Sequence, residues 1–244
     1  MLVLSVGLSL SSELTLAAPP NDFRVLTDDI STPGSKTLKI QSSVARPSSN
    51  FSPDSGRLFQ GLGELAYGLS EQWEISAQAP VTRLNGNWYS NGINLELQYV
   101  APHDDDDGFY WGARTELGYA SQEDDKRTWQ AEFRPILGYR ISDWHFAMNP
   151  AVTTALSGED RKAKFEPSAK LSYQVDKSNA VSMEYFVDAG PLSHFLPRSR
   201  RNELALIVLD SKIGKSEINL GVGRGMTSIS DRWVVKFILS TTLD

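Results

Sequence analysis

Several kinds of residue and segment are scarce in this sequence, and each scarcity argues against a class of protein. The 244 residues include no cysteine, which rules out disulfides and thiolate metal ligands. The three histidines are scattered without metal-ligand spacing, so we expect no metal and no cofactor. No run of roughly 18 apolar residues is present, which argues against a transmembrane helix. The 24 basic and 30 acidic residues leave a net charge of −6, so no nucleic-acid partner is expected.

Alternation of apolar and polar residues is what the sequence does contain. From about residue 36 onward, short alternating segments are separated by turn-forming or charged clusters, as in antiparallel strands joined by hairpins. In the segment INLELQY, residues 93–99, large apolar side chains share one face and Asn94, Glu96 and Gln98 share the other. The segment WEISAQAPV, residues 73–81, repeats the scheme. These patterns predict strands with one apolar and one polar face.

Short connections alternate with longer polar ones along the chain. Turns such as DKSN, residues 176–179, are interleaved with loops such as GPLSHFLPRSRR, residues 190–201. Short periplasmic turns and longer outer loops are typical of outer-membrane barrels. Counting from Lys36 gives about twelve strands. The sequence therefore predicts an all-β fold, a single antiparallel transmembrane β-barrel of about twelve strands in a bacterial outer membrane.

The polar face of these strands is charged again and again. If the apolar face contacts lipid, the polar face lines the lumen, where acids and bases on neighbouring strands can pair. Such residues either select solutes along a path or fill the lumen with salt bridges, and both alternatives remain open. The predicted lumen-lining residues are Glu74, Glu96, Arg114, Glu116, Glu132, Arg134, Lys170, Glu184, Arg232 and Lys236.

Aromatic residues fall near the ends of the predicted strands, on the apolar face. Rings at that depth suit the boundary between lipid headgroups and water, whereas rings in a soluble sandwich more often lie in the middle of a strand. The predicted membrane-girdle residues are Trp73, Tyr99, Trp111, Trp129, Trp144 and Trp233.

A soluble β-sandwich is the alternative fold, because two sheets can also bury their apolar faces against each other. That arrangement needs large interlocking side chains, whereas many positions on the apolar face are small, such as Ala77, Ala79 and Ala131. Lipid chains conform to such a surface, and a closed barrel leaves no exposed strand edge. The sequence favours lipid.

The first segment has the pattern of an export signal. An apolar run, residues 2–10, is followed by small residues and by Ala17 and Ala18 before two prolines, although no positive charge precedes the run. A buried first strand is the alternative. We expect residues 1–22 to be a signal-like export segment and residues 23–244 to form the barrel.

Three segments resemble motifs of the outer-membrane proteins of the phenol-degradation meta-pathway type. They are RVLTDDIST (residues 24–32), ELAYGLSEQWEIS (residues 64–76) and GVGRGMTSISDRWVVK (residues 221–236), and the likeness extends to Gly108 and to FLP at Phe195. None of these motifs is catalytic. The resemblance implies an outer-membrane barrel that passes small organic molecules. Such barrels commonly end on an aromatic residue, whereas this sequence ends Leu243-Asp244.

Three functions remain open at this point. The first is a passive, porin-like channel for small, organic or aromatic solutes, with membrane lipid as its other partner and no catalytic residue. The second is a non-conducting structural or partner-binding barrel. The third is a lipid hydrolase at His194, which has serines and Glu203 nearby in sequence. The acidic run 104–107 and the GVGRG segment are better explained as a solvated turn and a glycine-relieved strand than as calcium or phosphate sites.

Overall fold

The computed structural model describes residues 22–48, 57–84, 86–104, 107–121, 127–158 and 161–243. Within them, no helix is long and apolar enough to cross a membrane. A 3-10 turn occupies Arg198–Arg200. The strands are β1 (Lys36–Arg46), β2 (Leu58–Gly68), β3 (Trp73–Leu84), β4 (Asn87–Ser90), β5 (Ile93–Val100), β6 (Gly108–Ser121), β7 (Arg127–Ile141), β8 (Trp144–Ala155), β9 (Lys164–Gln174), β10 (Asn179–Asp188), β11 (Asn202–Ile213), β12 (Ser216–Gly225) and β13 (Trp233–Leu243).

Twelve of these strands form a closed antiparallel barrel, which confirms the fold expected from the sequence. Each strand pairs with the next along the chain, except that β3 pairs with β5 and the short β4 extends β3 at one rim. The barrel closes where β1 pairs with β13, from Lys36 opposite Leu243 to Arg46 opposite Trp233. Closure satisfies the backbone groups that an open sheet would expose, which a lipid environment requires.

The two faces of the wall differ as the alternation of the sequence requires. On β5, the apolar side chains from Ile93 to Leu97 point outward and are exposed, whereas Glu96 and Gln98 point inward and are buried. The same inward and outward alternation runs through β3 and β10. Large exposed apolar side chains cover the outside of the barrel. A closed barrel with this apolar belt lies in a bilayer, and its fold places it in the bacterial outer membrane.

Outward-facing aromatic side chains lie near each end of the belt. Trp73, Tyr99 and Trp111 lie side by side near the short-turn rim, with ring centroids 4.8 Å and 5.8 Å apart. Trp144 lies near the same rim, 4.9 Å from the ring of Tyr173. The opposite rim carries two more predicted residues, Trp129 and Trp233. The ring centroids of Trp129 and Tyr119 are 5.0 Å apart. The six predicted girdle residues therefore occupy both rims.

The chain before β1 lies inside the barrel. Residues 22–31, which we call the lumen segment, are extended and contact inward-facing side chains of strands on opposite sides of the wall. Residues 1–21 of the expected export segment 1–22 lie outside the described residues, so that segment stays a prediction, whereas Asp22 lies in the lumen. The lumen segment therefore occupies the centre of the barrel, between strands on opposite sides of the wall.

The depth of the belt predicts how the barrel responds to a charge on its outer face. Leu97 lies at mid-strand and Ile213 at the short-turn end of β11, and both are exposed aliphatic residues. We expect Leu97→Arg to lower the free energy of unfolding by about 2–4 kcal/mol and Ile213→Arg by about 0–1 kcal/mol. Urea titrations in phosphatidylcholine liposomes measure both. Equal losses would contradict the placement of the belt.

Candidate functional site

The lumen segment enters the barrel at the short-turn rim and ends at mid-depth. At the rim, Gly34 donates a backbone hydrogen bond to Gly68, and the Ser31 amide donates to the Glu74 carboxylate at 2.7 Å. A Cβ atom at Gly68 would lie 2.3 Å from the Thr32 carbonyl oxygen, so only glycine lets the segment pass this closely. Deeper in the lumen, the Asn149 side chain accepts a hydrogen bond from the Leu26 amide and donates one to the Leu26 carbonyl oxygen. Side chains of the wall thus substitute for a neighbouring strand.

One wall of the lumen is charged, and two residues of the lumen segment complete its ion pairs. Arg114, which is 2% exposed, lies 3.0 Å from Asp22 and 3.0 Å from Glu96. Arg24 lies 2.9 Å from Asp22 and 2.7 Å from Glu64. Charges buried this deeply are tolerated only when they are paired, so the segment and the wall depend on each other.

Four further wall residues extend this network. Lys39 bridges the carboxylates of Glu64 and Glu74 at 2.9 Å and 3.2 Å. Arg134 forms an ion pair with Glu132 at 2.7 Å and approaches Asp22 at 3.8 Å. Because each base contacts an acid of another strand or of the lumen segment, the network spans the neighbouring strands β1 to β3 and β5 to β7, which Asp22 and Arg24 of the lumen segment connect.

A second charged group lies on the opposite side of the barrel. The Lys236 ammonium, which is 1% exposed, donates to Glu184 at 2.5 Å and to the Phe23 carbonyl oxygen at 2.8 Å. Lys170 lies 3.6 Å from Glu184 and 2.8 Å from Asp210. Here too, the lumen segment supplies an acceptor to a buried cation.

The part of the lumen segment nearer the short-turn rim is held by the Asp28 clasp, which comprises Asp28, His103 and Arg140. The guanidinium of Arg140 donates two hydrogen bonds to the Asp28 carboxylate, and His103 Nε2 lies 2.7 Å from it. Burial opposes the charge of His103, but hydrogen bonds to the Ala101 carbonyl and to Asp28 offset it and raise the pKa of His103 above its ordinary value. His103 lies in the β5–β6 connection, so it reaches the lumen from the rim.

An aromatic pair adjoins the clasp. The Tyr110 hydroxyl lies 2.6 Å from His145 Nε2, and its ring lies 5.4 Å from that of His103. Tyr110 crosses the face of Gly138, where an added Cβ atom would overlap the ring at 1.9 Å. The glycine therefore leaves the space that the tyrosine occupies beside the clasp.

Part of the wall on the side of the Lys236 group is apolar. It comprises inward-facing residues of β10, β11 and β13, namely Phe186, Leu204, Leu206, Val208 and Val234. Phe23 and Val25 of the lumen segment pack on this wall, and the rings of Phe23 and Phe186 are 5.9 Å apart. The lumen thus presents a charged side on β1 to β7 and, opposite it, apolar residues that adjoin the Lys236 group, with the segment between them.

Most of the predicted lumen-lining residues do face the lumen, and the structure brings them together in two groups. Glu74, Glu96, Arg114, Glu132 and Arg134 belong to the charged wall, with Glu116 between Glu96 and Glu132 in strand register. Lys170, Glu184 and Lys236 form the second group. Arg232 is the exception, because it precedes β13 in a connection at the long-loop rim and is exposed there.

The sequence patterns missed the residues that hold the lumen segment. Asp22, Arg24 and Asp28 precede the first strand, where no periodicity indicates that they are inside the barrel. His103 lies in the connection after β5, where alternation gives no indication that it contacts Asp28. The one available signal was the RVLTDDIST motif, since it covers most of the lumen segment.

The alternative sites suggested by the sequence are not assembled in the described residues. His194 lies exposed in the connection between β10 and β11, whereas the Glu203 carboxylate accepts hydrogen bonds from Tyr185 and Arg198. Of the acidic run, positions 105 and 106 lie outside the described residues. The segment 221–225 continues strand β12 and precedes no helix, so it provides no phosphate loop.

Comparison with known proteins gives a fold but no family. No protein-family model and no curated protein matches the sequence. A solved COG4313 outer membrane channel from Pseudomonas putida F1 is similar, with a TM-score of 0.64 and 10% identity over 88% of this chain and 97% of that one. The NanC porin has a TM-score of 0.58 and 11% identity over 84% of this chain and 100% of that one. The KdgM porin, also solved with disordered oligogalacturonate, has a TM-score of 0.58 and 10% identity over 85% and 99%. This chain therefore shares the fold of outer-membrane channels.

Proposed function

We propose that this protein is a passive outer-membrane channel for small organic solutes and that the lumen segment restricts its conductance. The observation that carries the proposal is the way in which the lumen is filled. A barrel filled by the side chains of its own strands cannot open without distorting its wall. Here a separate stretch of chain fills the centre, held to the wall by side-chain contacts rather than by a strand ladder. It can move while the twelve strands stay paired.

The composition of the two lumen walls supports an organic solute. The charged wall can hydrogen-bond polar groups, and the apolar wall can pack against a ring or a short chain. The similar solved structures include channels and porins, and the KdgM porin has been solved with an oligogalacturonate. The resemblance to phenol-degradation outer-membrane proteins also fits small aromatic molecules. A lipid hydrolase is not favoured, because Glu203 pairs with Tyr185 and Arg198.

Loosening the Asp28 clasp tests whether the lumen segment restricts conductance. Asp28→Asn removes the charge that Arg140 and His103 hold, and charge-assisted hydrogen bonds contribute about 1.5–3 kcal/mol. We expect the open probability in planar bilayers to rise by about tenfold to a hundredfold. Asp29→Asn is the matched control, because this neighbouring carboxylate is exposed and contacts only Thr27 among the hydrogen bonds described. An unheated gel shift confirms folding. Folded but silent wild-type and Asp28→Asn barrels would establish a non-conducting protein.

The titration of His103 predicts a pH dependence. Its raised pKa means that the imidazolium strengthens the clasp fully below the ordinary value of about 6.5, and that this contribution is lost as pH rises through the raised value. We therefore expect the open probability to increase as pH rises across that window, while Arg140 keeps its charge throughout. In His103→Asn this pH dependence should disappear. A wild-type conductance that falls with rising pH would contradict the role of His103.

The apolar wall predicts a preference among solutes of unequal size. We expect phenyl glucoside, which is too polar to cross lipid unaided, to enter liposomes containing Asp28→Asn at least as fast as the smaller glucose. Phe186→Ser should remove this preference by making the apolar wall polar, while glucose entry persists. Liposome swelling measures both rates. Strict ordering by solute size in both proteins would show that the apolar wall plays no part.

A further inference from the structure

Three prolines lie side by side in strands β7, β8 and β9. Pro150 is opposite Pro167, and the register of β7 with β8 on either side of this point places Pro135 opposite Pro150. We call these three residues the proline row. Their neighbours in sequence, such as Ile136 and Asn149, are buried and face the lumen, so the alternation of the strands points the proline row toward lipid.

The proline row interrupts the hydrogen-bond ladder between β7 and β8. In these two described strands, pairing stops after Phe133 and resumes at Leu137 on β7. A proline has no backbone N–H to donate, which is why central strands rarely contain one. The Pro135 carbonyl oxygen instead accepts a hydrogen bond from the side-chain amide of Asn149 at 3.4 Å. The two strands are therefore joined less firmly here than along the rest of their length.

A second interruption lies on the other side of the proline row. The pairing of β9 with β10 ends at Ser168 opposite Phe186. Backbone hydrogen bonding between these parts of the chain resumes where the Ala189 amide donates to the Phe165 carbonyl oxygen at 2.9 Å. Pro167 lies between the two points. Prolines thus interrupt two strand pairs in one part of the wall, where lipid offers no water to replace the missing donors.

The lumen side of the wall at the proline row is apolar and carries small side chains. Ala147 and Ala151 lie on either side of Asn149 along the inner face of β8, and both are almost fully buried. Ala147 belongs to the same apolar cluster as Phe23 and Val25 of the lumen segment. The wall that separates the apolar contents of the lumen from lipid is therefore thin at this point.

Asn149 connects the proline row to the lumen segment. Its side-chain amide donates to the Leu26 carbonyl oxygen at 3.0 Å and to the Pro135 carbonyl oxygen at 3.4 Å. Its side-chain oxygen accepts the Leu26 amide at 2.6 Å. One side chain thus holds the lumen segment in place and also bridges the gap in the ladder.

We propose that the proline row is a lateral exit, through which a small apolar solute passes from the lumen into the hydrocarbon core of the membrane. Parting the wall here breaks fewer ladder hydrogen bonds than parting it elsewhere. An apolar solute that enters lipid is removed from water without displacing the charged partners of the lumen segment. The proposal rests on the proposed function in one respect, since the solute must first enter the lumen.

Photolabelling from the membrane tests this proposal on the refolded full chain in liposomes. The probe is an apolar aryl diazirine that dissolves in the hydrocarbon core, and glutathione in the water consumes any aqueous probe. We expect the wild type to be labelled at Val25 and Leu26, which the tryptic peptide 25–36 contains. The label on this peptide is normalised to the label on outward-facing residues of β5.

The variant Pro135→Ala/Pro150→Ala restores two N–H donors to the ladder. Because these hydrogen bonds favour the closed wall, labelling of the lumen segment should fall about tenfold. The matched control is Pro80→Ala, because Pro80 also lies within a strand but faces the lumen on β3, away from the proline row. This control should be labelled like the wild type.

Three outcomes would overturn the proposal: no label on the lumen segment of the wild type, unchanged labelling in the double variant, and an equal loss in Pro80→Ala. Labelling requires no conductance, so a labelled barrel that is silent in planar bilayers would contradict only the proposed axial channel. An unheated gel shift establishes that each variant is folded. Should the double variant not fold, Pro150→Ala takes its place, with a smaller expected loss.

Discussion

The pairing of buried charges in the lumen is the constraint on which the rest of the structure depends. Lys236 and Arg114 are almost fully buried, and removing one partner of a buried ion pair costs about 3–5 kcal/mol. Strand side chains supply Glu184 and Glu96, but the lumen segment supplies the Phe23 carbonyl and the Asp22 carboxylate. The barrel wall alone would leave these cations incompletely paired, and the lumen segment completes them.

The lumen segment fits because its own alternation matches the two walls of the lumen. In an extended chain, successive side chains point to opposite sides. Asp22 and Arg24 therefore reach the charged wall, while Phe23 and Val25 reach the apolar wall. The alternation that gives every strand a lipid-facing side and a lumen-facing side also lets one extended segment contact two chemically different walls.

The wall of this barrel could be predicted from the sequence, whereas its contents could not. Strict alternation specifies which face of β5 or β10 contacts lipid, because a shift of one residue would move every apolar side chain inward. The aromatic positions and the number of strands follow from the same pattern. Asp28 and His103 lack any periodicity, and their contact joins residues 75 positions apart in the sequence. Arg232 was predicted to line the lumen but precedes β13, because alternation does not show where a strand begins.

Charges that line a lumen can be satisfied by protein groups or by water, and this property distinguishes such a lumen from an apolar core. With the lumen segment in place, ion pairs and backbone oxygens satisfy the charges. If the segment moves, water can enter and hydrate the same groups, so the penalty for unpaired charge is much reduced. The strand ladder is unaffected, because closure rests on β1 and β13 and not on the segment. The energetic difference between the two arrangements is then set by a few contacts, among them the Asp28 clasp.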